Sequence, residues 1–363
     1  MAAESNTHRH GGQPLYDFQR LGIPPRPVID FSVNVNPLGP PPEVTEAWNG
    51  WRHDIHSYPS PDGAGVLRFY QKRFGLAMDS VLAGNGSTEL IYLAPRALDL
   101  KTAAVAAPSF HDYSRSILLN GGQILEFPDL ENNGEGWEKK AIKILPQIDA
   151  LFIGNPNNPT GQLISAEGIL AMAERFPDKF FLVDEAFIQF VENRCRYSLL
   201  HPDRLRSNIV VFHSLTKFYA LAGLRLGAAI SHPETIARLR KHKEPWSVSL
   251  PAERSAEVLA TCETYEEKTC TLINKERQAM AKFALQSPLM EALPPTANFI
   301  LARWTATSDL DNLLCALLTR GLYIRDARNF CGLTGNWFRF AILGEKENEL
   351  LRRAFLQLEK EVR

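Results

Sequence analysis

Ser214-Leu215-Thr216-Lys217-Phe218-Tyr219-Ala220-Leu221-Ala222-Gly223-Leu224-Arg225-Leu226-Gly227 is the stretch on which the reading of this chain turns. It is flanked by short apolar runs, 209–213 before it and 226–230 at its end. Upstream, Phe180-Phe181-Leu182-Val183-Asp184-Glu185-Ala186-Phe187 closes a third run on a carboxylate. Further upstream, the run 150–154 leads into Asn155-Pro156-Asn157-Asn158-Pro159-Thr160-Gly161. Two more runs lie at 103–107 and 124–127, and helical patterns cover 88–98, 113–119, 166–175 and 233–242. Unbroken apolar runs of this length suit strands buried on both faces, and their alternation with helices predicts an α/β fold with a mostly parallel sheet. Ligands of such sheets gather beyond the carboxyl ends of the strands. Asn158, Asp184 and Ser214 fall at such ends, which predicts one shared site.

Work outward from this centre gives three units. Residues 1–45, rich in Pro and Gly, read as an extended N-terminal arm. Residues 46–250 read as the large domain. Residues 251–363 read as a long linking helix, about 251–286, followed by a smaller α/β domain. That domain has strands near 298–303, 322–325 and 337–342 and a closing helix over 347–362.

The 363 residues are ample for two lobes, and a hydrophobic content of 45% with 22% charged residues is that of a globular protein. A formal net charge of −1 gives no field for nucleic acid or an anionic membrane. Neither partner is expected. The five cysteines form no CxxC pair or metal-like group, and an odd count excludes a complete disulfide framework. No metal is expected. The N-terminus lacks the apolar segment of a leader, and no apolar run approaches the ~18 residues of a membrane span. A cytoplasmic protein is expected.

The chemistry lies in the ordered set of Asn158, Asp184, Ser214, Lys217 and Arg225. A lysine offers an amine for covalent attachment of an aldehyde. An aspartate at a neighbouring strand end offers a carboxylate to a ring nitrogen. Gly84-Asn85-Gly86-Ser87-Thr88, between an apolar and a helical stretch, is by itself an ordinary N-cap turn. Its small residues also let backbone N–H groups approach an anion at a helix N-terminus.

In this order and spacing the segments resemble the fold-type I pyridoxal phosphate (PLP) enzymes of the aminotransferase superfamily, over nearly the whole chain. The resemblance implies that Lys217 binds PLP covalently and that Asp184 holds its ring nitrogen protonated. Gly86, Ser87, Thr88, Ser214 and Arg225 would take its phosphate. Asn158 would donate to its 3-oxygen, and Phe110 of Pro108-Ser109-Phe110 would stack on its ring. Tyr58 of Ser57-Tyr58-Pro59 matches a tyrosine lent across a subunit boundary, which implies a homodimer with shared sites. Aminotransferases usually carry tyrosine at the position of Phe187. Its absence removes a hydrogen bond to a charged oxygen, worth ~1.5–3 kcal/mol.

One branch is matched more closely, the L-threonine O-3-phosphate decarboxylases of cobalamin synthesis. The features are His10-Gly11-Gly12, Phe31-Ser32-Val33-Asn34-Val35-Asn36-Pro37-Leu38-Gly39, Pro245-Trp246-Ser247-Val248, Phe187 and the Ser-Leu-Thr-Lys form of the lysine motif. The resemblance implies a phosphorylated amino acid as substrate. Arg339, with Asn158 nearby, would face its carboxylate; His10, Ser32, Asn34 and Arg325 would face its phosphate. Serine phosphate differs from threonine phosphate by one methyl, worth only ~1 kcal/mol in a cavity. Histidinol-phosphate aminotransferase, of the same fold, is the rival reaction. A PLP-fold domain kept for binding or regulation is a third reading, disfavoured because Lys217, Asp184, Asn158 and Arg225 are intact.

Overall fold

The computed structural model describes residues 10–128, 136–306 and 309–362. The reading of the first residues as leader-free lies outside them. Seven strands form the larger sheet, in the order Val81–Asn85, Leu226–Ile230, Ile209–Ser214, Phe180–Asp184, Ala150–Gly154, Thr102–Ala107 and Gln123–Pro128. The four pairings from Ile209–Ser214 outward to Gln123–Pro128 are parallel. Leu226–Ile230 is antiparallel to both of its neighbours. The α/β class and the mostly parallel sheet are as the sequence pattern predicts. Val81–Asn85 is the strand the pattern does not announce, because Val-Leu-Ala-Gly-Asn is short and half small residues.

Side chains alternate between two cores, as the two-residue period of a strand requires. Leu151, Ile153, Phe181, Val183, Ile209 and Val211 enter one apolar core. Phe152, Leu182, Val210 and Phe212 enter the other, with residues of the helices Gly86–Leu98 and Pro233–Arg240. Both faces being covered, the strands have no polar side, and this is why they read as unbroken apolar runs.

The second lobe is an antiparallel sheet ordered Arg325–Asp326, Trp337–Ala341, Phe299–Trp304 and Met290–Ala292. The single strand expected over 322–325 divides in two. Leu322–Tyr323 pairs with the arm residues Ile29–Asp30, whereas Arg325–Asp326 pairs with Trp337–Ala341. The long helix expected over 251–286 is likewise two, Leu250–Leu259 and Glu263–Gln286. The first packs on Ala64–Phe74 of the large lobe and the second on Met290–Ala292 and the closing helix Glu345–Val362. The second helix also reaches the large-lobe core through Tyr265 and Ile273.

The arm is also not simply extended. Pro14–Arg20 is helical, with proline in the first turn where its missing N–H costs nothing. Phe18 of this helix is buried against Leu318 and Tyr323. Beyond Ile29–Asp30, Phe31 N–H donates to the Tyr323 carbonyl (2.7 Å), and its carbonyl accepts from Ala341 N–H (2.8 Å). Asn36 N–H then donates to the carbonyl of Lys217 (3.0 Å). The Asn36 amide reaches the Phe218 carbonyl (2.7 Å), Tyr265 Oη (2.9 Å) and Thr269 Oγ1 (2.8 Å). One segment thus fastens the second lobe to the loop that carries Lys217. Asn36→Ala leaves buried acceptors unpaired, and a loss of about 1–3 kcal/mol is expected, read as a lower thermal unfolding midpoint with unchanged helix content.

Candidate active site

A cavity of about 420 Å³ opens beyond the carboxyl ends of the central strands, between the two lobes. Its lining includes Lys217, Asp184, Ser87, Thr88, Phe110, Asn158, Ser214, Arg225, His10, Ser32, Asn34, Arg325 and Arg339. Asp184 and Ser214 are the last residues of their strands, and Asn158 follows Ala150–Gly154 by one turn. Two expected residues are not in the lining. Gly86 sits behind Arg225, and Tyr58 is 83% exposed against Trp246, at a ring separation of 5.6 Å. Within its own chain, Tyr58 does not reach the cavity.

The anion cradle is built on an absence. A Cβ on Gly86 would lie 2.5 Å from Arg225 Nη2, so only glycine lets the guanidinium lie over the start of the helix Gly86–Leu98. Gly86 N–H donates to the Arg225 carbonyl (2.9 Å), and Arg225 itself holds a left-handed φ of 53°. A strained non-glycine residue beside a helix N-terminus is the kind of backbone that functional sites retain. Ser214 Oγ and Thr216 Oγ1, 2.8 Å apart, complete this side.

Lys217 lies between charges. Burial, then the cations Arg225 and Arg339, push its amine down to about 8, while Asp184 opposes them. Asp184 is pushed up to about 6 by burial. Its Oδ2 accepts from Tyr113 Oη (2.8 Å) and its Oδ1 from Ala186 N–H (2.9 Å). Phe110 stands edge-on to Tyr113, with ring centroids 5.6 Å apart.

Arg325 and Arg339 are direct cross-strand partners. Like charges facing across a sheet are destabilising. Both are nearly buried. Arg339 donates to Asn158 Oδ1 and to the Ser32 carbonyl (2.8 Å), both neutral, and its Nε has no partner among the described residues. Burial and Arg325 push its ionisation down, yet a guanidinium stays charged at neutral pH. Arg325 donates to Asn329 Oδ1 (2.7 Å) and the Asp326 carbonyl. The bond from Arg339 also fixes the Asn158 amide with Nδ2 left as its donor end.

The arm closes the outer side. His10 lies 3.8 Å from Asp112 and packs beside Phe110 and His111. Ser32 Oγ donates to Asp30 (2.6 Å) and accepts from Gly12 N–H (2.7 Å). Its one proton being committed to Asp30, Ser32 fastens the His10 segment here rather than offering a donor to the cavity. A Cβ on Gly11 would strike the Ser32 carbonyl at 2.2 Å, which explains the glycine beside His10. Asn34 Oδ1 is buried without a partner among the described residues. His111, Asp112, Tyr113, Asn329 and Phe330 line the cavity as well, and nothing in their spacing marks them in the sequence.

PLP fits this set. Its phosphate suits the Gly86–Arg225 cradle, its ring nitrogen suits Asp184 and its aldehyde suits Lys217. Asn34 and Arg339, each with a buried polar atom lacking a partner among the described residues, belong to the lining of the same cavity. Among the described residues, no helix is long and apolar enough to cross a membrane.

Residues 26–355 match the family described as aminotransferase class I and II. A provisionally named threonine-phosphate decarboxylase of Caldanaerobacter subterraneus subsp. tengcongensis is 36% identical over 98% of this chain and 95% of its own. The threonine-phosphate decarboxylase of Salmonella typhimurium is 33% identical over 94% of each chain. A bifunctional adenosylcobalamin biosynthesis protein of Leptospira interrogans is 28% identical over 96% of this chain and 41% of its own. The crystal structure of a histidinol-phosphate aminotransferase from Clostridium acetobutylicum superposes with a TM-score of 0.84, at 27% identity, over 91% of this chain and 99% of that one.

A lysine amine attacks an aldehyde only when neutral, so capture of PLP by the apoprotein is expected to accelerate as pH rises through about 8. Arg339→Met removes a neighbouring cation and is expected to move that midpoint upward. Stopped-flow absorbance of the bound cofactor across pH checks both.

Proposed function

The chain belongs to the class I and II aminotransferase family, and from that premise we propose that it is a PLP-dependent decarboxylase of L-threonine O-3-phosphate. The product is (R)-1-amino-2-propanol O-2-phosphate, the linker unit of cobalamin synthesis. The observation that carries this reading is the facing pair Arg325 and Arg339, in one cavity with Lys217, Asp184 and the arm's His10. Two guanidiniums opposed in register call for two anionic groups on one substrate, a carboxylate and a phosphate. The arm residues 1–45, the large domain 46–250 and the linking helix with small domain 251–363 are the working units on this reading.

When bound, PLP supplies an electron sink for negative charge developing at the substrate's Cα. The chain's residues do the rest. Ser87, Thr88, Ser214 and Arg225 would hold the cofactor phosphate. Asp184 would keep a proton at the ring nitrogen, Asn158 Nδ2 would donate to the 3-oxygen, and Phe110 would cover the ring. Arg339 orients the carboxylate, and Arg325 with His10 and Asn34 holds the phosphate. The bond from Cα to the carboxylate carbon breaks, CO₂ leaves, and Lys217 delivers the proton that replaces it. Phe187, packed edge-on to Phe299 at 5.2 Å, offers no hydroxyl to the 3-oxygen. This departs from the transaminase pattern, and no keto acid is required by the residues present.

The substrate's phosphate is remote from the reacting bond, so its binding energy is expected in turnover as well as in affinity. Purified enzyme should release CO₂ from L-threonine phosphate without a keto acid, and far more slowly from free threonine. Arg325→Ala should damage the phosphorylated substrate most and narrow that gap. Amino transfer from histidinol phosphate to 2-oxoglutarate, without CO₂ release from threonine or serine phosphate, would identify the rival reaction instead.

Tyr58 is assigned to the cofactor site of a second copy of the chain, in a cytoplasmic homodimer. Its exposure beside Trp246, away from its own cavity, supports this. Mixing Tyr58→Phe with Lys217→Ala subunits should restore activity, because a mixed dimer then has one site with both lesions and one with neither. Demonstrated subunit exchange without recovery would return Tyr58 to a local role.

A further inference from the structure

Asp184 is held by two donors, and one of them comes from the aromatic platform. Tyr113 lies in the first turn of the helix Asp112–Leu118, three residues after Phe110. Its ring is stacked on Phe152, with centroids 5.2 Å apart and planes at 7°, and stands edge-on to Phe110. The hydroxyl therefore has little freedom, and it meets Asp184 Oδ2 at 2.8 Å. An ionised carboxylate only accepts, so the phenol is the donor in this pair. Burial pushes the phenol's own ionisation well above its ordinary range, and the nearby Asp184 and Asp112 push it the same way. It remains a donor wherever Asp184 is charged. Ala186 N–H occupies the other carboxylate oxygen at 2.9 Å.

We infer that Tyr113 is a positioning residue that keeps the shared proton on the cofactor's ring nitrogen rather than on Asp184. The inference rests on the reading of Asp184 as the ring-nitrogen partner. One proton lies between nitrogen and carboxylate, as N–H⁺ facing O⁻ or as N facing O–H, and none is gained or lost between the two forms. Hydrogen bonds to the charged carboxylate favour the first form. Burial of Asp184 in a site of low polarity favours the second. The two donors oppose that burial, aided by the positive charge of Lys217 before the cofactor attaches. Tyr113 is the donor that a side-chain change can remove. Phenylalanine at 113 would keep the stack on Phe152 and the edge contact with Phe110 while deleting only the O–H.

The experiment is ¹⁵N NMR of the holoenzyme loaded with PLP labelled at its ring nitrogen, in wild type, Tyr113→Phe and Asp184→Asn. Wild type is expected at the pyridinium position and Asp184→Asn at the neutral one. Tyr113→Phe is expected to move toward neutral, with kcat for CO₂ release down about tenfold or more and KM little changed. A residue that served packing alone would not move the nitrogen signal. A Tyr113→Phe signal that stays with a pyridinium wild type overturns this inference and leaves the Asp184 reading standing. A wild-type signal at the neutral position overturns both.

Discussion

Four cationic side chains, Lys217, Arg225, Arg325 and Arg339, line a single cavity whose lining carboxylates are Asp112 and Asp184. Burying cations without matching anions is costly, because the interior returns little of the hydration they lose. The excess is worst at Arg325 and Arg339, which the antiparallel register sets face to face. Each lies over an aromatic ring, Arg325 over Phe330 and Arg339 over Phe299, which leaves their like charges opposed. The proposed cofactor and substrate carry two phosphates and a carboxylate, anions that suit a cavity lined by these four cations. Burial first, and then Arg225 and Arg339 of this set, depress the amine of Lys217, which suits it to covalent attachment near neutral pH.

The cavity has walls from three parts of the chain, and the N-terminal segment ties them together. Its backbone joins the second lobe at Tyr323 and Ala341, and Asn36 joins it to the lysine loop and to the long helix at Tyr265 and Thr269. Asp30, Ser32 and Gly12 then fold its outer end over the mouth, with His10 beside Asp112. One residue that the sequence suggested as a substrate contact in this arm serves internal fastening instead. It is Ser32, whose hydroxyl serves Asp30 and Gly12. Asn34 is the opposite case, a buried carbonyl oxygen with no partner among the described residues.

The strand ends carrying Asn158, Asp184 and Ser214, and the loop carrying Lys217 and Arg225, were legible because each belongs to a local pattern. A buried parallel strand is an unbroken apolar run, and a polar residue that ends it is conspicuous. The division of 322–325 between two sheets was not legible. Both halves look like strand, and only the presence of Ile29–Asp30 as a competing partner decides which sheet each joins. The break after Leu259 was hidden for a similar reason. The helical pattern continues across it, and only the second half goes on to reach the smaller sheet and the closing helix.

The sequence by itself determined the α/β class, the order of the central strands' chemistry and the residue types able to hold PLP, because side-chain periodicity and strand-end position are properties of neighbours along the chain. Tertiary structure alone decided that Arg325 opposes Arg339, that Tyr58 points away from its own cavity and that Tyr113 grips Asp184 from 71 residues away. Those relations depend on sheet register and on the packing of one helix over a neighbouring strand, and both are fixed only when distant segments bury their apolar faces together.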